Sequence, residues 1–207
     1  MFSLPPVWRG EHGPTPLQTR HASLTFVNDR AAAEQYALNP NVPADIPAAV
    51  HPRLIQAQLT MHRPLVQDIH DPFIDFTVLA EGLGQDAAKH IFCRHDDYVR
   101  HTSRWEDVQD QFHSVKDLID RAPELLETLY VQLWPLLDCH ETMAEIKAAG
   151  FDGAIYRSSG ATMDAVEYRV FDPSQIKVLQ QVNLGVEAVA PDEPHVAEIV
   201  RKRRRLR

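Results

Sequence analysis

The chain has 207 residues, of which 44% are hydrophobic and 24% are charged, the composition of an ordinary globular protein. Collagen-like, mucin-like and wholly disordered chains are therefore excluded. The formal net charge of −8 conceals an asymmetry, because positions 201–207 hold six of the 21 basic residues and leave 15 basic against 29 acidic residues elsewhere. A strongly acidic body is thus joined to a strongly basic tail.

Cysteine usage and hydropathy indicate the compartment. Cys93 and Cys139 are too few for a disulfide framework, and the chain opens without the charged and apolar segments of a secretory signal. No apolar run approaches the roughly 20 residues of a membrane-spanning helix. We therefore expect a cytoplasmic protein with no membrane contact. Its single domain is expected over 1–186, followed by a linker and basic tail over 187–207.

The N-terminal region is predicted to begin with short strands. One is expected at 7–9, between turn-forming prolines and glycines, and a second at 23–27. The Asn-Asp pair at 28–29 can cap a helix that carries the alanines and the tyrosine of 31–37. Apolar and polar residues then alternate over 55–62, which is typical of a half-buried strand.

The middle of the chain changes to a helical period. Apolar residues recur every three or four positions within 104–139 and predict two amphipathic helices divided near Pro123. A further helix from Glu141 is predicted to end at Gly150, a residue suited to the left-handed position after a helix. Strands are then predicted at 154–156, 166–171 and 176–182. Strands at both ends of a helical middle indicate the α+β class.

Common cofactor and metal motifs are missing from the sequence. There is no phosphate-binding glycine loop of the Rossmann or P-loop kind. One short stretch does contain metal-ligating residue types, but it has no second ligand pair at the spacing that zinc sites use. We therefore predict no metal site and interpret this stretch as the polar edge of a strand with one half-buried thiol. Its residues are His90, Cys93, His95, Asp96 and Asp97.

The most informative segment is 166–177, with the sequence Val-Glu-Tyr-Arg-Val-Phe-Asp-Pro-Ser-Gln-Ile-Lys. Its alternation predicts a strand, a turn and a second strand. The segment resembles the catalytic-glutamate strand of the ADP-ribosyltransferase superfamily, and is most similar to the branch found in polyvalent proteins of phages and mobile elements. The upstream Gly-Phe-Asp-Gly-Ala-Ile-Tyr of 150–156 is also typical of that branch.

Two N-terminal stretches fit the same family in the required order. Val-Trp-Arg-Gly at 7–10 resembles the first-strand motif, and the stretch 24–37 resembles the second motif, a strand followed by a helix with a stacking tyrosine. The resemblance implies an ADP-ribosyltransferase-like split β-sandwich with a helical middle insertion. It also implies that NAD is the substrate. The catalytic residues implied are Glu167, Arg9, Thr25 and Ser23, and the NAD-binding residues are Trp8, Arg9, Gly10, Phe26 and Tyr36.

The chemistry of the family explains these residue types. Breaking the bond between nicotinamide and ribose builds a cation on the ribose, which the Glu167 carboxylate would stabilise. Tyr36 would stack on nicotinamide, and the Gly10 backbone would pair with its carboxamide. Arg9 would bind the ribose or the phosphates. A hydroxyl of Ser23 or Thr25 would orient Glu167.

Three departures from the family narrow the expected activity. The polymerase-like class has His and Tyr at the positions of Arg9 and Thr25, which argues against polymer synthesis. The arginine-modifying class has Glu or Gln two residues before the catalytic Glu, where this chain has Ala165, with Asp164 as the nearest substitute. We therefore expect transfer of a single ADP-ribose.

The resemblance implies a mono-ADP-ribosyltransferase of the glycosyltransferase class that modifies a protein or RNA acceptor and releases nicotinamide. Such domains act as toxins or effectors of phages and mobile elements inside a bacterial cell. Two alternatives stay open: an NAD glycohydrolase, and a catalytically degenerate binding module. The basic run 201–207 predicts contact with a polyanion such as RNA, and no metal is expected.

Overall fold

The computed structural model of the chain describes residues 2–13, 15–17, 22–38, 51–159 and 165–185. Asp164, the linker and the basic tail lie outside the described residues. The strands are β1 (Phe2–Ser3), β2 (Val7–Glu11), β3 (Leu24–Val27), β4 (Arg53–Met61), β5 (Pro64–Leu65), β6 (Phe73–Asp75), β7 (Tyr130–Gln132), β8 (Gly153–Arg157), β9 (Val166–Val170) and β10 (Ile176–Asn183). The helices are α1 (Arg30–Leu38), α2 (Phe76–Leu83), α3 (Gln85–Arg94), α4 (Asp96–Arg100), α5 (Ser103–Glu106), α6 (Val115–Arg121), α7 (Leu133–Asp138) and α8 (His140–Ala148).

The main sheet consists of two halves joined at one point. Its order is β1-β4-β2-β3-β9-β8-β5, and β10 also pairs with β4. All pairings are antiparallel except that of β5 with β8. Between β2 and β3 the register holds a single pair, Trp8 with Val27, whereas β2 and β4 share five. The mixed architecture confirms the predicted α+β class.

The two halves bury a common apolar cluster. Val7 and Leu59 come from the first half, and Phe26, Tyr168 and Val170 from the second. These residues follow the period-two alternation that the sequence shows for each strand. Burial of this face therefore fixes the register of β3 and β9, and leaves the opposite face of these strands to the helical region.

Helix α1 lies unusually close to β2. It begins after Asp29, whose carboxylate accepts hydrogen bonds from the backbone N–H groups of Ala31 and Ala32. A Cβ atom at Gly10 would lie 2.0 Å from the carbonyl oxygen of Ala33. Glycine is therefore required at this position by the contact between strand and helix.

The helical middle is more divided than the sequence predicts. The two amphipathic helices expected within 104–139 are wrong: this stretch contains the end of α5, then α6 and α7, a 3₁₀ helix at Pro123–Thr128 and strand β7. The Ser114 hydroxyl caps α6, and Pro123 starts the 3₁₀ helix. Pairing of β7 with β6 overrides the helical period of the apolar residues.

Other predicted elements agree closely with the structure. Strands β2, β3, β4, β8, β9 and β10 and helix α1 each overlap their predicted range. Helix α8 ends at Ala148, and Gly150 has the expected positive φ of 88°. The stretch 90–97 is helical rather than the predicted strand edge, although Cys93 is half-buried as expected. Within the described residues, none of the helices has the length and hydropathy needed to cross a bilayer.

Candidate active site

Glu167 lies on β9, between β3 and β8. The register pairs it with Val27 on one side and with Tyr156 on the other. Paired residues of antiparallel strands project to the same face, so these three side chains share a face with Arg169, two positions further along β9. Tyr156 belongs to the core cluster of the helical region. Glu167 is only 8% exposed, and its face of the sheet is covered by that region.

Three side chains donate hydrogen bonds to the Glu167 carboxylate. The Tyr156 hydroxyl donates to Oε2 at 2.6 Å, and Arg169 Nε donates to the same oxygen at 3.2 Å. The Ser158 hydroxyl donates to Oε1 at 2.7 Å. A carboxylate this deeply buried is stable only with such partners, because desolvation of an unpaired charge costs several kcal/mol.

Arg169 extends this arrangement to the helical region. Its Nη1 donates to Asp138 Oδ1 at 2.7 Å and to the Ser23 hydroxyl at 3.4 Å, while its Nε also approaches the Tyr156 hydroxyl at 3.1 Å. Asp138 is the last residue of α7. We call these six residues, Glu167, Arg169, Tyr156, Ser158, Ser23 and Asp138, the Glu167 network.

The electrostatics of the Glu167 network favour a protonated tyrosine and a charged arginine. Burial raises the pKa of Tyr156 well above its usual value, and the neighbouring Glu167 carboxylate raises it further. Burial opposes the charge on Arg169, but Tyr156, Glu167 and Asp138 outweigh it, so the pKa of Arg169 is also raised. Tyr156 therefore acts as a hydrogen-bond donor, and one guanidinium is shared by two carboxylates.

Ser23 and Thr25 lie near the Glu167 network in a different role from the one predicted. The Ser23 hydroxyl donates to the carbonyl of Leu137 and accepts from Arg169, so it reaches Glu167 only through that arginine. Thr25 is paired in register with Arg169 on β9. The hydroxyls that orient Glu167 are those of Tyr156 and Ser158, which corrects the prediction for Ser23 and Thr25.

Arg9 does not share the face of Glu167. Trp8 is in register with Val27, and Val27 with Glu167, so the adjacent Arg9 projects to the opposite side. There its Nε lies 2.6 Å from Glu11 Oε1, and its Nη1 donates to the Thr25 carbonyl at 2.9 Å. The resemblance predicts Arg9 and Glu167 as catalytic residues of one site, but the strand register places them on opposite faces of the sheet.

Glu11 is the centre of this second buried cluster. Its carboxylate also accepts a hydrogen bond from Arg53 Nε at 3.0 Å and from the backbone N–H of Leu17 at 2.9 Å. Arg53 in turn donates to the Gly13 carbonyl at 2.6 Å. The cluster therefore fastens the segment after β2 to β2 and β4.

The remaining predicted NAD-binding residues differ in how much surface they offer. Phe26 is fully buried in the cluster between the sheet halves, and Gly10 is covered by α1. Trp8 lies under the Arg30 guanidinium, 5.2 Å from the ring centre. Tyr36 is 40% exposed, and its ring centre lies 5.6 Å from that of His12. Of the predicted aromatic residues, Tyr36 has the most surface for stacking on a ligand.

The metal-ligating residue types of 90–97 stabilise the helical region instead. His95 Nε2 lies 2.9 Å from the Thr142 hydroxyl, and Asp96 Oδ1 accepts from the Val115 backbone N–H at 2.6 Å. Across the part of the chain that the structure describes, no three His, Cys, Asp or Glu side chains are grouped as metal ligands. A surface depression of about 500 Å³, lined by Asp75, Arg104 and Tyr130 among others, also lies in this region, away from Glu167.

Four residues of the Glu167 network were missed by the sequence reasoning: Tyr156, Ser158, Arg169 and Asp138. Alternation on β9 could have identified Arg169, because it stands two residues after Glu167. Tyr156 and Ser158 depend on the register of β8 with β9. The contact of Asp138 depends on how α7 packs on the sheet, for which the sequence carries no local signal.

No protein-family model matches the chain, and no curated protein or solved structure matches it either.

Proposed function

We propose that the chain is an NAD-dependent mono-ADP-ribosyltransferase in an ADP-ribosyltransferase-like fold. One observation carries the proposal: the three stretches that resemble the family's motifs lie on adjacent strands, β2, β3 and β9, although β9 is about 140 residues from β3 in sequence. If the three stretches resembled the motifs only by chance, there would be no reason for their strands to be adjacent in the sheet. The division of the sheet into two halves, with the helical region between β6 and β8, agrees with the expected split sandwich.

Glu167 is the central residue of the proposed reaction. As the bond between ribose C1′ and nicotinamide N1 breaks, its electron pair passes to the nicotinamide ring and positive charge develops on the ribose. A fixed carboxylate in a buried site stabilises that charge more strongly than water does, because it needs no reorganisation. An acceptor nucleophile then bonds to C1′ and releases its proton to solvent.

The acceptor is proposed to be a macromolecule, protein or RNA, inside a bacterial cell, and the protein an effector of a phage or mobile element. The six basic residues of 201–207 would attract an anionic acceptor such as RNA. The rest of the chain is acidic and would repel one. Tyr36 is the proposed stacking residue for nicotinamide. Arg9 is not given a catalytic role, because its guanidinium pairs with Glu11 on the other face of the sheet.

The proposal is tested with NAD labelled in its adenylate phosphate. The protein is incubated with this NAD and with separate protein and RNA fractions of a bacterial lysate, and label is followed into macromolecules. We expect covalent label in one fraction, absent with the Glu167→Gln variant. Free ADP-ribose as the sole product would identify an NAD glycohydrolase. Intact NAD in every reaction would indicate a non-catalytic binding module and overturn the proposal.

A further inference from the structure

Arg30 is an exposed arginine that lies over an aromatic ring. It is the first residue of α1, and its guanidinium carbon lies 5.2 Å from the centre of the Trp8 ring. A guanidinium can stack on an aromatic face and still use its N–H donors, which point outward in its own plane. Among the described residues, no carboxylate or carbonyl accepts a hydrogen bond from these donors. They are therefore available to a ligand.

Two other arginines lie over aromatic rings but use their donors within the protein. These are Arg63 and Arg121. Arg63 Nη1 donates to the Ala149 carbonyl at 2.7 Å. Arg121 Nη1 donates to Asp117 Oδ2 at 3.1 Å. Since Arg30 has no such acceptor in the part of the chain that the structure describes, a structural role does not account for its donors.

The Trp8 ring lies on the face of the sheet that carries Glu167. Trp8 is in register with Val27, and Val27 with Glu167. Paired residues of antiparallel strands project to the same face, and each step across a pair is about 5 Å between Cα atoms. Trp8 therefore stands about 10 Å from Glu167 along this row of the sheet.

The start of α1 is fastened to β9 beside Glu167. The backbone N–H of Asn28 donates to the Val166 carbonyl at 3.2 Å, and the backbone N–H of Val166 donates to Asn28 Oδ1 at 2.8 Å. Asn28 stands two residues before Arg30, and Val166 stands directly before Glu167. The Arg30 guanidinium is thus held next to the candidate active site, on the side of α1.

The chemistry of this pair suits a nucleotide. The adjacent Asp29 does not pair with Arg30, because its carboxylate accepts from the N–H groups of Ala31 and Ala32. A guanidinium binds phosphate oxygens through two parallel hydrogen bonds, and an aromatic ring beside it stacks on an unpaired base. A carboxylate of a protein acceptor would use the guanidinium but leave the Trp8 ring without a partner.

We propose that Trp8 and Arg30 bind one nucleotide of a single-stranded RNA acceptor, with its phosphate on Arg30 and its base against Trp8. This inference rests on the proposed function and names RNA, rather than protein, as the acceptor class. Because the pair lies about 10 Å from Glu167, the bound nucleotide flanks the one that is modified. Arg30 is then a specificity-determining residue and takes no part in breaking the bond to nicotinamide.

The test measures binding of the full chain to a fluorescein-labelled oligouridylate of about 16 nucleotides by fluorescence anisotropy. Arg30→Ala should weaken binding roughly three- to tenfold at low salt, because one charge-assisted phosphate contact is lost. The logarithm of the binding constant should also fall less steeply with the logarithm of the salt concentration, by about 0.7 in slope. Arg30→Lys should keep the wild-type slope, because the charge remains.

Arg121→Ala is the matched control for Arg30→Ala. Arg121 also lies over an aromatic ring, 4.9 Å from the centre of Phe112, but on α6 in the helical region. Its removal changes the net charge equally and should alter the affinity for the oligouridylate by less than about twofold, because salt screens distant charges. KM for NAD in nicotinamide release is measured for Arg30→Ala as well and should stay within about twofold of wild type.

Three outcomes would overturn the inference and leave the proposed function intact. One is an equal loss of affinity in Arg30→Ala and Arg121→Ala, which would reflect net charge alone. The second is a rise in KM for NAD of about fivefold or more in Arg30→Ala, which would assign Arg30 to NAD. The third is a wild-type protein that does not bind the oligouridylate and labels only the protein fraction of the lysate.

Failure of the proposed function has a different signature. A wild-type protein that releases no nicotinamide, but loses affinity for the oligouridylate on Arg30→Ala and not on Arg121→Ala, would support the nucleotide contact and reject the transferase. The binding measurement is independent of catalysis, so the two results are distinguishable.

Discussion

Arg9 and Tyr36 were both predicted to bind NAD, but their environments in the structure are opposite. Arg9 is 14% exposed and bonded to Glu11, whereas Tyr36 is 40% exposed. Without the Arg9 side chain, the Glu11 carboxylate still accepts hydrogen bonds from Arg53 and from the Leu17 N–H, so only part of its hydrogen bonding is lost. We expect Arg9→Ala to lower the free energy of unfolding by about 1–3 kcal/mol.

The contrasting expectation is that Tyr36→Ala raises KM for NAD by roughly tenfold with little change in stability, because it removes exposed aromatic surface. Urea unfolding and steady-state kinetics on both variants distinguish these effects. If Arg9→Ala raises KM as much as Tyr36→Ala while its stability is unchanged, Arg9 binds NAD and its pairing with Glu11 is incidental.

At the scale of elements, the contact between β2 and α1 leaves no room for a side chain. A Cβ at Gly10 would lie 2.0 Å from the Ala33 carbonyl oxygen and 2.9 Å from the Ala37 nitrogen. These are backbone atoms of a helix and cannot rotate away. Gly10→Ala should therefore destabilise the protein by at least about 2 kcal/mol, measured by thermal or urea unfolding.

Gly13→Ala is the matched control for Gly10→Ala, because no atom of the described residues lies within 4 Å of the Cβ position there. It should change stability by less than about 0.5 kcal/mol. Similar losses for both variants would mean that α1 does not pack on β2 as described.

The junction of α3 with α8 contains a buried histidine that makes stability depend on pH. Burial, and then the adjacent Arg94, lower the pKa of His95 to about 4 from its ordinary value near 6.5. The unfolded chain therefore binds a proton between these two values when the folded protein does not. The contribution of neutral His95 to the free energy of unfolding is therefore fully present above about pH 6.5 and is lost as the pH falls towards 4.

The check is urea unfolding of the wild-type protein and of His95→Gln at several values of pH from 4 to 7. The difference in stability between the two should shrink as the pH falls, because glutamine keeps a hydrogen-bonding group near Thr142 but does not titrate. A constant difference over this range would mean that His95 has an ordinary pKa in the folded protein.

At the scale of the whole molecule, the sequence predicted the strands better than the helices. Apolar and polar residue types alternate along β4 and β9, which is a local signal in the sequence, even though β9 is buried on both faces. The stretch 104–139 is apolar at helical spacing, yet capping by Ser114 and pairing of β7 with β6 divide it. The pairing of β7 with β6 links distant segments, and no short window of the sequence contains both strands.

The candidate site was predictable to the same limited extent. Glu167 could be identified from the segment around it. The predicted position of Arg9 beside Glu167 is wrong. Whether a residue on β2 shares a face with one on β9 depends on two registers, that of β2 with β3 and that of β3 with β9, and the sequence of neither strand alone determines them. Tyr156, Ser158 and Asp138 are brought to Glu167 by packing between strands and helices.

The charge asymmetry of the chain leads to a prediction about the acceptor. Six basic residues in 201–207 would attract a polyanion to an otherwise acidic protein. Deleting 201–207 should leave nicotinamide release unchanged but slow the modification of an RNA acceptor. The effect should weaken with added salt, because the logarithm of the binding constant falls against the logarithm of the salt concentration with a slope of about −0.7 per phosphate contact on a single strand. Equal rates for both proteins at low salt would exclude a recruiting role.

The proposed activity depends most on Glu167, and one comparison tests this dependence directly: nicotinamide release from NAD by the wild-type protein, Glu167→Gln and Glu145→Gln. Glu145 is a matched control because it is a partly buried carboxylate paired with Arg94, on α8. We expect Glu167→Gln to lower kcat by about 10²–10³-fold, the usual loss for one electrostatic stabiliser, with KM for NAD within about threefold. Glu145→Gln should retain the wild-type rate within about twofold. A Glu167→Gln variant that keeps a tenth or more of the wild-type kcat, on the order of 1.4 kcal/mol or less in activation free energy, would contradict the account.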